Sequence, residues 1–232
     1  MKKRGSSHTE IILAFVIFIA AVGFALFVFS PSSGGKKVET YLTYTFTEVT
    51  RKTETGLEVY SVILHPEKIV EDTIGVSFPE IVKNARVETY EGVELTSSRN
   101  GDIVYFQRGS SDWSEIDFVN VKFSDDFDLQ DSFTGTHNDS YYDISTSYEK
   151  EIISEKKFKK LLDSYNSDYD SLKEDFNLKI DLAFSLVFDD GSEIKAEKDI
   201  PLGLEVYSDS KRVEVLRENG DIVFGDLKVL VW

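Results

Sequence analysis

Cysteine is absent from all 232 residues, which excludes disulfides, thiolate metal sites, cysteine nucleophiles and a lipidated-cysteine anchor. Histidine is scarce. His8, His65 and His137 lie far apart, and no zinc signature, phosphate-cradling glycine loop or nucleophile elbow accompanies them. A serine–histidine–aspartate site using His65 or His137 has no support in the sequence, so the chain reads as a non-enzyme. Positive charge is also short, with 26 basic against 42 acidic residues and a net charge of −16. Taking away the five bases and one acid of residues 1–37 leaves 21 bases against 41 acids, a net −20 for the remainder. Such a surface repels phosphate backbones, which argues against any nucleic acid partner. It suits simple solvation, or contact with cations and basic partners.

What is present begins with one long uncharged run. Ile11 to Phe29 is nineteen residues without charge, proline or a strong hydrogen-bonding side chain. A helix of that length rises about 28 Å, near the ~30 Å hydrocarbon core of a bilayer. The expectation is a single transmembrane helix in contact with the lipid bilayer of the cell membrane. A cleaved secretory signal is the competing reading, with "SPSSGG" as its cleavage region, but its apolar part would be shorter. Lys2, Lys3 and Arg4 precede the run closely, while Lys36 and Lys37 follow after a gap. That bias, with the acidic domain downstream, puts the N-terminus in the cytoplasm and the C-terminal domain outside the cell.

Glu10 is the odd residue, a carboxylate directly before the run. Counted from Ser6 it is the fifth residue. A basic cluster ending in Gly5, a short polar stretch, an acid at that spacing and an unbroken apolar helix together resemble the class III signal of archaeal type IV pilin-like proteins. The resemblance covers residues 2–30. It implies a cytosolic leader, residues 1–5, cut between Gly5 and Ser6 by a prepilin-type peptidase, and an apolar helix, residues 6–30, that packs against other pilin-like subunits. Many members have another residue, often glutamine, where this chain has Ser6. In such a bundle Glu10 would meet the new amine of a neighbour's Ser6, and this pairing would set the axial register.

Residues 31–37, "PSSGGKK", read as a linker. In "VETYLTYTFTEVTRKTE", Val38, Leu42, Phe46 and Val49 fall at helical spacing, although the segment is rich in β-formers. A short helix leading into the domain is expected there. From Gly56 onward short alternating runs such as "LEVYSVIL", "IDFVNVKF" and "KIDLAFSLVF" predict strands. "DDGS" at Asp189–Ser192 and "NGDIV" at Asn100–Val104 and Asn219–Val223 predict hairpin turns, with both asparagine and glycine at positive φ. The repeated NGDIV raises the question of two related modules, with convergent turn chemistry as the other explanation. Ser154 can cap a helix with Phe158, Leu161, Leu162 and Tyr165 on one face, and Tyr169, Leu172 and Phe176 mark a second.

The fold class expected is therefore α+β: a transmembrane helix, then an exported domain, residues 38–232, of mainly antiparallel, sandwich-like β-structure with a helical insert at about 154–176. Two chemical sites are candidates within it. Asp125, Asp126, Asp128 and Asp131 concentrate oxygen ligands of the kind Ca²⁺ takes, six to eight at a time. Counted from Asp126, the EF-hand glycine at position six and glutamate at twelve are missing. Ca²⁺ is thus the one cofactor considered, against a solvated acidic loop. Asn138-Asp139-Ser140 is a glycosylation sequon. The function read from all this is a pilin-like or pseudopilin-like structural subunit of a cell-surface assembly. The alternative is a monomeric, membrane-tethered β-sandwich that binds an extracellular ligand or partner.

Overall fold

The computed structural model describes residues 6–29, 33–128 and 130–232, with the side chains of 6–10, 25–29 and 33–38 excepted. Two compact units form, Met1–Tyr41 and Leu42–Trp232. Helix α1 spans Ser6–Phe29 and α2 spans Ser33–Thr53. Residues 33–37, expected as linker, are thus helical, and the helix expected from Val38 is present. In its second half α2 buries Thr45, Phe46, Val49 and Thr53, one stripe of a 3.6-residue period. It then passes directly into a strand.

Strands β1 (Glu54–Leu64), β2 (Thr73–Ser77), β3 (Asn84–Thr89), β4 (Glu94–Leu95), β5 (Ser97–Asn100) and β6 (Ile103–Gln107) come first. Then follow β7 (Phe118–Ser124), β8 (Thr136–His137) and β9 (Tyr142–Ser154). Helices α3 (Glu155–Ser167) and α4 (Tyr169–Asp175) interrupt the series before β10 (Leu182–Phe188), β11 (Glu193–Ala196), β12 (Tyr207–Leu216) and β13 (Ile222–Val231). A large curled sheet runs β11-β10-β13-β12-β9-β1-β7-β3-β4, and a small one runs β5-β6-β2-β8.

The expected class needs correcting. Strand makes up 42% and helix 28%, so the molecule is mostly β rather than α+β. Nor is the whole domain a sandwich, because nine strands join edge to edge in a single sheet. Only the β1-β7-β3 part is faced by the small sheet, with Val62, Val119, Val121 and Phe123 meeting Ile74, Val76, Val104 and Phe106. The β1 sequence shows how one sheet serves two cores. Leu57 and Val59 join a cluster with Phe127, Ile152 and Leu216, whereas Val62 and Leu64 join the inter-sheet core. Odd and even residues of a strand point to opposite faces, so β1 changes its buried face along its length. The switch coincides with a bulge, where Ser61 pairs Thr146 and Val62 pairs Ile144.

The helices cover the other half of the large sheet. Ser154 Oγ accepts from Lys157 N at 3.2 Å, the cap read from the sequence. Phe158 and Tyr165 of α3 both meet Phe184 of β10 edge-on, at 5.5 Å between ring centres. The three glycine turns form as expected, but positive φ belongs to Gly101, Gly191 and Gly220 and not to the neighbouring asparagines. The two NGDIV turns join β5 to β6 in the small sheet and β12 to β13 in the large one. They occupy unlike positions in the architecture.

Candidate functional site

Among the described residues no helix is long and apolar enough to cross a membrane. The expected transmembrane helix, the single-pass cell-membrane location and the cytoplasmic and extracellular sides assigned from it are accordingly withdrawn. What α1 does present is apolar surface on every side. All fourteen residues from Ile11 to Phe24 are exposed, the large ones from 38% at Val22 to 70% at Phe24. A helix that is apolar all round is normally buried on all sides. Gly5 lies outside the described residues. Ser6 begins α1 and Glu10 stands in its second turn, with neither side chain described.

The acidic loop is dispersed. Asp128 takes a hydrogen bond from Lys156 Nζ at 2.6 Å, which holds its carboxyl below the usual range. Asp126 turns inward toward Lys157 Nζ, 3.7 Å away, while Asp125 and Asp131 are exposed. Lysines of α3 therefore face two of the four carboxylates. Among the described residues no three histidine, aspartate or glutamate groups lie close enough to hold a metal ion. Asn138 is exposed and caps a short 3₁₀ turn, its amide oxygen accepting from Ser140 N at 3.0 Å. His65 Nε2 contacts Asp143 at 2.9 Å, and His137 Nε2 lies 3.2 Å from Asp139 and 3.3 Å from the Tyr142 hydroxyl. Among the described residues no serine hydroxyl hydrogen-bonds to either histidine.

Two features went unread in the sequence. One is a hollow of about 330 Å³ where Lys52, Lys157 and Lys160 come within reach of Ser164, Ser167 and Ser171. Its wall is braced from behind. Tyr165 and Tyr169 direct their hydroxyls to the start of β10, bonding Leu182 O at 2.9 Å and Asp181 Oδ1 at 3.0 Å. Burial pushes the Tyr165 phenol up to about 12 and Tyr169 upward as well. Lys173 Nζ, 2.8 Å from Asp181, holds that carboxyl below its ordinary value. The other is a cavity of about 410 Å³ beside the β3–β4 hairpin, walled by Tyr90 and Phe118. The signal available for it was "TYEGV", a glycine turn carrying a tyrosine with no apolar alternation to bury it. Compared with family models, curated proteins and solved structures, the chain matches none.

Proposed function

We propose that this chain is a structural subunit that assembles with copies of itself through α1. The observation that carries the reading is the exposure of every described α1 side chain from Ile11 to Phe24, with no polar residue among them. Exposed apolar area costs about 25 cal/mol per Å², so ten large side chains make a strong drive toward burial. A single flat partner would cover one face and leave the others wet. A bundle of identical helices covers all faces at once, and each copy of the chain supplies one. The pilin-type resemblance of residues 2–30 is in keeping with this reading. On it, Glu10 pairs with the Ser6 amine of a neighbour after cutting behind Gly5.

Sedimentation of the full chain is the test. The wild type should run as a multimer. Phe15→Lys with Ile19→Lys should run as a monomer while the far-ultraviolet β signature stays unchanged. Because the chain has no cysteine, Ala14→Cys gives a clean probe, and oxidation should link copies through α1. In processed protein, Glu10→Gln should lower that cross-linking by removing the register pair. A monomeric wild type, or a double-lysine variant that sediments like it, overturns the proposal.

A further inference from the structure

The cavity beside the β3–β4 hairpin has the build of a ligand site. Its floor is Leu95 and Ile116, 6% and 4% exposed. Its wall is Tyr90, which packs edge-on against Phe118 at 6.1 Å and 82° yet remains 80% exposed. Val93 beside it is 57% exposed. An exposed tyrosine and valine over an apolar floor make a patch that gains by being covered.

Two fixed turns hold these groups. Gly92, at φ +82°, closes the hairpin, and Thr89 N donates to Val93 O at 2.9 Å. Opposite, Asp112 and Glu115 form a reciprocal cap on the 3₁₀ turn that leads to Ile116, and Ser114 N donates to Asp112 at 3.1 Å. The volume, about 410 Å³, lies in the ~300–1,000 Å³ range of small-ligand pockets.

The rim decides what would enter. Glu91, Glu115 and Asp117 line it, and no lysine, arginine or histidine does. Among the described residues none of the three carboxylates has an ion-pair partner, although elsewhere in the domain Glu58, Glu88, Glu94 and Glu214 each have a basic partner. An aromatic ring face attracts cations, an apolar floor takes a hydrocarbon stem, and unpaired carboxylates select positive charge. We infer that this cavity binds an organic cation on an apolar stem, an alkyl ammonium or guanidinium group. Such a group comes either from a free amine or from a lysine or arginine side chain of a protein partner. The inference does not depend on assembly through α1.

Calorimetric titration of the full chain at 150 mM salt tests it, with 1,5-diaminopentane and a trilysine peptide as probes. Pentanol and ammonium chloride serve as the neutral and stemless controls. Saturable binding of either probe is expected. Binding of the diamine points to a free amine as the source, and binding of the peptide alone points to a partner's side chain. Tyr90→Ala should weaken binding about two- to fivefold, the scale of an exposed cation–π contact, and Glu91→Gln with Glu115→Gln should weaken it measurably through the lost charge. Glu193→Gln with Glu205→Gln removes the same charge, with Glu193 on β11 at the opposite edge of the large sheet, and should leave binding unchanged. Absent saturation, equal binding of pentanol or ammonium, or equal weakening by the Glu193/Glu205 pair overturns the inference.

Discussion

Gly135 sits where a side chain has no room. A Cβ built there would stand 2.6 Å from the backbone oxygen of Thr73, and backbone cannot swing aside as a side-chain tip can. The site adjoins the two-residue parallel pairing in which Ile74 meets Thr136 and Gly75 meets His137. Gly135→Ala should therefore destabilise the domain by about 1–3 kcal/mol, the usual range for overpacking. Denaturant unfolding measures it, and a change under 0.5 kcal/mol would mean that β8 detaches at little cost. Gly92 contrasts with it. It has open space around its Cβ position but φ +82°, so its requirement is conformational, not steric.

At the scale of elements, β9 and β12 share an unusual junction. They run parallel and pair only at Val215–Ile153 and Leu216–Ser154. Upstream of that point each has a strand on one side alone, β1 along β9 and β13 along β12. Asp143 to Glu149 are all exposed, as expected for an uncovered edge. Acids at Asp143, Glu149 and Glu151 are the charges that discourage stray pairing there. Native-state hydrogen exchange should show β1, bonded on both sides, protected through its length. The amides of β9 that point away from β1 should exchange far faster. Equal protection of β1 and of Asp143–Glu149 would mean that the edge is covered in solution.

For the whole molecule, alkali sets a readable limit. Tyr165 is neutral when protonated, and burial raises its value from 10.0 to about 12. Its stabilising contribution is complete below pH 10, where the folded and unfolded phenols are both protonated. It is lost as the pH rises toward 12, because only the unfolded chain ionises easily in that window. Melting temperature should thus fall between pH 10 and pH 12, and fall less steeply in Tyr165→Phe. At pH 7 that variant should lose about 1 kcal/mol with the hydroxyl bond to Leu182 O. Tyr169 is raised too, so part of the slope should persist. Parallel slopes in the two proteins would mean that Tyr165 is solvated when folded.

Much of the strand layout was legible in the residues themselves. Alternation marked β1, β7 and β10, glycine turns marked three hairpins, and Ser154 with the Phe158–Tyr165 stripe marked α3, because each is a local property of a short segment. β9 was not legible. Its exposed middle, Asp143 to Glu149, has no buried alternate residue, so nothing in it announces a strand until β1 pairs with it. Nor was the change of face in β1, which coincides with a register shift against a distant partner, Ser61 facing Thr146 and Val62 facing Ile144. The single curled sheet follows from long-range pairing of β9, β1 and β12, and sequence period says nothing about who pairs with whom. Of the candidate sites, the sequence supplied the apolar helix and the acids. Only tertiary structure brought Lys156 and Lys157 to the aspartate loop, and set Tyr90 against Phe118 over three carboxylates from two separate turns.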